Sequence, residues 1–131
     1  MKNLNAFLNP VRKPNHKFIL SDAFVDEDGK PIEWELRLLT AEESLEIAKE
    51  HAHSSYGEVI FATIARSLVY PNLRDKELLE ALSKREGRQI LEAKEALKVM
   101  INDPEYSRLA SEYLQYANIK SFDKQVETAK N

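Results

Sequence analysis

The stretch from Tyr56 to Tyr70, YGEVIFATIARSLVY, is the most apolar run in the sequence. On a helical wheel, Val59, Ile60, Phe61, Ala62, Ile64, Ala65, Leu68 and Val69 cover most of the circumference and leave Glu58, Thr63, Arg66 and Ser67 to face water. A helix apolar on most sides belongs in a core, so the rest of the chain must pack around it. Pro71 sets its expected end, because proline lacks the N–H a further turn would donate and biases the preceding residue away from the helical region.

A chain of 131 residues is of ordinary single-domain size and can bury roughly two-thirds of the surface its unfolded form exposes. With 43% hydrophobic and 31% charged residues it reads as a folded globular domain with well-solvated faces. The 19 basic and 22 acidic residues give a net charge of −3, so no global field draws it to nucleic acid or to an anionic membrane. There is no cysteine, which excludes disulfides, thiolate metal sites and cysteine nucleophiles and suits a reducing cytoplasm. No stretch approaches the roughly 18 apolar residues of a membrane span, and the first residues hold no long apolar segment of a secretory signal.

Residues 1–15 read as an N-terminal arm and residues 16–131 as a single helical domain. Leu4, Phe7 and Leu8 form a small apolar patch in the arm, closed by Pro10 and Pro14. At i, i+4 spacing Leu4 and Leu8 share one helical face. The patch either docks on the domain's own core or meets a partner. Lys17–Val25 and Ile32–Leu38 are rich in β-branched and aromatic residues, and the second alternates strictly, Ile32, Trp34, Leu36 and Leu38 against Glu33, Glu35 and Arg37. That pattern predicts a strand with one wet face. With Asp28-Gly29 supplying a positive φ between the runs, the expectation is a β-hairpin over about residues 17–38.

Thr40 and Glu43 stand at capping-box spacing and open a helix to about His53, with Leu45, Ala48 and Ala52 as its expected apolar stripe. Asp75 is placed to cap a helix carrying Leu78, Leu79 and Leu82. Gly87 separates it from a helix over Arg88 to Ile101. Asp103-Pro104 reads as a cap and first helical position for the next, with Tyr106, Leu109, Ala110, Tyr113, Leu114 and Ala117 at helical spacing. Ser121 opens a last short helix with Phe122, Val126 and Ala129 on one side. The expected fold is therefore mainly α: a small α+β domain with one N-terminal β-hairpin packed on a bundle of about six helices.

The chemistry expected of an enzyme is missing. His51 and His53 sit two apart on a helix and project to nearly opposite sides, so they cannot share a metal. Asp26-Glu27-Asp28-Gly29 continues into Lys30, Pro31 and Ile32 rather than the further oxygen ligands of a calcium loop. Three scattered glycines form no phosphate-binding loop, and no Gly-x-Ser-x-Gly elbow is present. No cofactor is implied. The basic clusters Arg12-Lys13 with His16-Lys17 and Lys84-Arg85 with Arg88 lack the interleaved aromatics of single-strand binders. Tyr106 and Tyr113, seven apart on one face, with Tyr116 beside them, are either a core edge or a groove for an amphipathic partner helix.

Several stretches together resemble the XkdN-like tail assembly chaperones of tailed phages and prophages of Gram-positive bacteria. They are Asp28-Gly29-Lys30-Pro31 before the Trp34 strand, Thr40-Ala41-Glu42-Glu43, and Val69-Tyr70-Pro71-Asn72-Leu73 with Asp75. Tyr106 and Leu109 follow, and then Phe122-Asp123, Val126-Glu127 and Ala129-Lys130-Asn131. Two loops depart from the pattern: Asn102-Asp103-Pro104 stands where a small or glycine-containing entry to Tyr106 is usual, and Lys120-Ser121 where a glycine precedes Phe122. The resemblance implies a non-enzymatic protein of the host bacterial cytoplasm that engages the tape measure protein, is displaced when the tail tube protein assembles, and is not expected in the mature virion. It gives no oligomeric state.

On this reading Leu4, Phe7, Leu8, Tyr106, Tyr113 and Tyr116 are the candidate partner contacts. The resemblance also implies a longer form made by a −1 frameshift, and Ala129-Lys130-Asn131 permits a slippery A AAA AAC. A minor structural component of the tail and a small helical DNA-binding regulator remain as alternatives.

Overall fold

A computed structural model describes residues 1–118 of the chain. In order, these residues form α1 (Leu4–Leu8), β1 (His16–Ile19), β2 (Glu33–Leu36), α2 (Ala41–Glu50), α3 (Tyr56–Ser67), β3 (Leu68–Tyr70), α4 (Lys76–Glu86), α5 (Ala93–Met100) and α6 (Asp103–Tyr116). The expected mainly α fold with an N-terminal hairpin is borne out, and the described residues hold six helices and a three-stranded antiparallel sheet in the order β1-β2-β3. The helix expected around Phe122, Val126 and Ala129 lies outside the described residues.

The hairpin pairs Phe18 with Trp34 and His16 with Leu36. Its strands are shorter than expected, and the intervening chain is closed by an isolated antiparallel bridge between Val25 and Pro31. The tip is held from within: the Asp26 carboxylate accepts the amide N–H groups of Asp28 (2.9 Å) and Lys30 (3.0 Å), and Gly29 takes the positive φ of 78°. Only glycine adopts that conformation without steric penalty, which is why Asp-Gly marks the turn in sequence. Trp34 and Leu36 face inward as predicted and are fully buried, whereas Leu38, beyond the end of β2, is exposed.

The central helix requires a correction. It stops at Ser67, and Leu68–Tyr70 leave it as β3, pairing Leu68 with Leu36 and Tyr70 with Glu35 across an irregular register. Pro71 acts further upstream than a simple stop, since pre-proline geometry together with β-branched Val69 and aromatic Tyr70 favours extended backbone. Ser67 is fully buried rather than wet, its hydroxyl donating to the Thr63 carbonyl at 2.8 Å. Ile64 and Ala65 remain core residues, where they meet Trp34, Leu36, Leu97 and Leu109.

Helix α2 turns a different face inward from the one expected. Its capping box is present, with Glu43 N–H donating to Thr40 Oγ1 and Thr40 N–H to the Glu43 carboxylate. Yet Leu45 is 71% exposed, Ala48 and Ala52 are exposed too, and Ile47 at 1% is the buried anchor with His51 one turn on. Arg37 decides this orientation by clamping Glu43, which turns the opposite side of the helix to solvent.

Asp75 caps α4 as predicted, accepting the Leu78 amide at 3.1 Å. Residues 88–92 are not helical, contrary to expectation. Gly87 ends α4 in the left-handed region, and the Ile90 amide donates to Ser83 Oγ at 2.8 Å, so that buried Ile90 is pinned by a side chain instead of a helical ladder. The cap of α6 is Asn102, one residue before the predicted Asp103, and it forms a capping box with Glu105.

Candidate partner-binding surface

The arm was expected either to bury its apolar patch or to present it, and it presents it. Helix α1 has no buried residue: Phe7 is 68% and Leu8 67% exposed, and Leu4 and Val11 are exposed as well. Proline at 10 limits the helix to little more than one turn, too short to stand by itself in water without packing.

Among the described residues the arm is tied down only at its base. Lys13 donates to the carbonyl of Tyr116 and lies 4.8 Å over its ring, while the Tyr116 hydroxyl donates to the Pro14 carbonyl at 3.0 Å. Asn15 reaches Glu35 at 2.9 Å. His16 stacks between Phe18 and Tyr116, with centroid separations of 5.3 and 5.4 Å, and its Nε2 meets Glu112 at 2.7 Å. Tyr116 is therefore an anchor for the arm, and burial raises its hydroxyl pKa above the ordinary tyrosine value.

The tyrosine face inferred from sequence does not form a single open groove. Spacing places Tyr106 and Tyr113 on one side of α6, but that side is turned into the molecule. Tyr113 is only 6% exposed and belongs to the core; burial raises its hydroxyl pKa and a hydrogen bond with Ser67 partly opposes the shift. Tyr106 is half-buried against Phe61, with ring centroids 5.0 Å apart; burial, and then the nearby Glu58 carboxylate, raise its pKa. The bland reading of these positions, a core edge, describes Tyr113 and Tyr106 better than a docking groove does.

A groove does exist elsewhere, and sequence reasoning missed it. It is an open cleft of about 620 Å³ between α2, α3, α4 and the segment leading into α5. Ile47, Ala62, Ala65, Leu79 and Ala93 form the apolar part of its lining, Glu50, His51, Arg66, Arg74, Glu92 and Lys94 the polar part, and exposed Leu91 also lines it. Its polar wall is ordered by pairing: Arg66 meets Glu46 at 2.9 Å and Glu50 at 3.6 Å, and Lys94 Nζ lies 3.2 Å from Nε2 of His51. An ammonium can only donate, so Nε2 accepts and the ring proton sits on Nδ1, which donates to the Ile47 carbonyl at 3.0 Å. His51 thus seals the end of α2, whereas His53 is exposed. The available signal was the Ile47–His51 pair at i, i+4, hidden by the more obvious Leu45 pattern.

No group of three or more potential metal-ligating side chains is found among the described residues, and none of their helices is long and apolar enough to cross a membrane. What the surface offers is an apolar, solvent-facing arm and an open cleft of mixed polar and apolar lining. The described residues thus form a small α+β domain with these two features on its surface. The sequence profile of the phage XkdN-like tail assembly chaperone proteins matches residues 4–130, and the chain belongs to that family. The role of such a chaperone is non-enzymatic. No curated protein matches the sequence significantly. The fold is similar to the crystal structure of a protein named YqbN, with a TM-score of 0.69 and 19% identity over 92% of this chain and 99% of that one.

Proposed function

We propose that this tail assembly chaperone binds the tape measure protein of its phage and keeps it from aggregating until the tail tube assembles around it. The observation that carries the reading is the exposed apolar arm on a chain that belongs to the XkdN-like family. A tape measure protein exposes long apolar helical seams before assembly, and such seams aggregate unless covered. Leu4, Phe7 and Leu8 are the contacts proposed for it. Tyr106 lies on the same helix, α6, whose Tyr116 holds the arm's base, and Tyr113 supports both from the core.

Binding by so small a patch is reversible, which suits a protein that is displaced by the tail tube protein and absent from the finished particle. The work is done in the host bacterial cytoplasm. If the gene slips by −1 at the codons for Ala129-Lys130-Asn131, a longer form carries further contacts. Co-expression with the coiled-coil-rich reading frame downstream in its genome tests the role. The downstream protein should be recovered soluble and should co-purify with this chain, and Phe7→Ser/Leu8→Ser should abolish both. Insolubility in the presence of both the short and the frameshifted forms refutes the proposal, and recovery of the chain from purified particles makes it a structural tail component instead.

A further inference from the structure

The arm carries charge of one sign and the rest of the chain an excess of the other. Lys2, Arg12 and Lys13 are the charged residues of positions 1–15, with no Asp or Glu among them, while all 22 acidic residues lie on 16–131 with 16 of the 19 basic ones. The cations border the apolar patch: Lys2 precedes Leu4, Phe7 and Leu8, and Arg12 follows Val11, which is fully exposed.

The two bordering cations are unanswered by the domain. Arg37, Arg66, Lys98 and Arg108 each find a carboxylate at 2.7–3.4 Å. No carboxylate of the described residues forms an ion pair with Lys2 or Arg12. Lys13 is committed to the arm's base, where it meets the carbonyl and the ring of Tyr116, and Lys17, beyond the arm, stands opposite Glu35 across the β1–β2 ladder. Held at Lys13, Pro14 and Asn15, the arm thus leaves in water an apolar patch with a cation at each end.

In such a contact the apolar side chains supply most of the affinity, and the charges beside them select the partner and its register. A seam bordered by Lys or Arg meets like charge at both Lys2 and Arg12, whereas one bordered by Asp or Glu meets opposite charge at both. The acidic excess of the remaining chain disfavours an acidic seam elsewhere, which leaves the arm as its point of contact. We infer that the arm's partner is a polypeptide segment with an apolar helical seam bordered by Asp and Glu, whose carboxylates meet Lys2 and Arg12 while its apolar side chains cover Phe7 and Leu8. This preference rests on the arm being the chaperone's polypeptide contact, and it fails separately from the tape measure role.

Two synthetic helical peptides test it. Each carries the same leucine seam, bordered in one by Glu and in the other by Lys, and each is labelled and titrated with the full chain by fluorescence anisotropy. At about 50 mM salt the Glu-bordered peptide should bind roughly tenfold more tightly, the effect of two exposed pairs gained in one peptide and two repulsions suffered in the other. At about 0.5 M salt the ratio should fall below about threefold, because screening then acts within a few ångströms. Lys2→Glu/Arg12→Glu should abolish or reverse the preference with an unchanged circular dichroism spectrum, and Phe7→Ser/Leu8→Ser should weaken both peptides.

Equal affinity for the two peptides, tighter binding of the Lys-bordered one, or a preference that survives Lys2→Glu/Arg12→Glu overturns the inference. So does binding to neither, and titration with phosphatidylglycerol vesicles then shows whether a lipid surface takes the arm instead. Rescue of the downstream protein without a preference for the Glu-bordered peptide keeps the tape measure role and discards the acidic seam; a preference without rescue does the reverse.

Discussion

Replacing Glu43 with Gln probes the junction that orients α2 and so forms one wall of the cleft. The Glu43 carboxylate accepts Arg37 Nη1 at 2.9 Å and Nη2 at 2.7 Å, and also the Thr40 amide at 3.0 Å. Arg37, followed by the Thr40 amide, lowers the carboxyl pKa from 4.5 to about 2, and the same pairing raises that of Arg37. Taken at face value the Glu43 shift is worth about 3 kcal/mol. The two side chains are 32% and 23% exposed, and solvent screening of such a pair reduces this to about 1–2 kcal/mol.

Gln keeps an oxygen that can accept the Thr40 amide, so the loss falls mainly on the Arg37 pair and Glu43→Gln should destabilise the protein by about 1–2 kcal/mol near neutral pH. The sign with pH follows from the lowered folded pKa. The unfolded chain binds this proton more readily, so the contribution is complete above the unfolded value of 4.5 and is lost as pH falls through the folded value of about 2. Urea unfolding followed by far-ultraviolet circular dichroism at about pH 7 and about pH 3 measures both effects. The gap between parent and variant should narrow markedly at the lower pH. A gap of equal size at both, or one below about 0.5 kcal/mol at neutral pH, would refute the clamp as the source of α2's orientation.

Leu68→Ala should destabilise the chain by about 2–5 kcal/mol in the same urea assay, because Leu68 is a core residue of β3 packed opposite Leu36; a smaller loss would mean that β3 adds little to the core. Tyr113→Ala should cost about 3–5 kcal/mol and Tyr113→Phe no more than about 1.5, so only the second can be used to ask whether Tyr113 affects partner binding. Ultraviolet absorbance titration should show Tyr106 and Tyr113 ionising above the ordinary value of 10.0, and the stability they confer should be complete below that pH and lost as pH rises through the folded values; normal titration of every tyrosine would contradict their burial. Phe7→Ser/Leu8→Ser should change stability by less than about 0.5 kcal/mol, which lets a loss of binding be read as loss of contact.

Local signals read correctly wherever the physical cause was local. Asp26 and Gly29 needed only their own loop to make the turn, Thr40 with Glu43 only one helical turn to make the cap, and Asp75 only the amide of Leu78. The alternation around Trp34 and Leu36 correctly gave the buried face of β2. Errors arose where two long-range partners competed for a segment. Leu68–Tyr70 are compatible with a helix by composition, and they become a strand because β2 offers an unpaired edge and Pro71 disfavours another turn. Leu45, Ala48 and Ala52 make as regular a stripe as any in the chain, yet the Arg37–Glu43 clamp and the Ile47 contact turn it outward.

The candidate surface divides in the same way. Sequence alone singled out Leu4, Phe7 and Leu8, because they form an apolar patch in an otherwise polar arm closed by Pro10 and Pro14, and family resemblance supplied a role for it. It could not say whether the patch was covered, since exposure depends on what the rest of the chain presents to it. Tyr106, Tyr113 and Tyr116 share a helix by spacing, which sequence determines; that the helix turns them toward Phe61, the core and the arm's base is decided by packing. Beyond the Ile47–His51 pair the cleft had no sequence signature, because its lining comes from separate segments that meet only after α2, α3 and α4 have docked. Periodicity and capping, set by neighbours within a turn or two, were the sequence's to determine; which faces meet and which remain in water follows from the competition among distant partners for burial, and only the tertiary structure decided it.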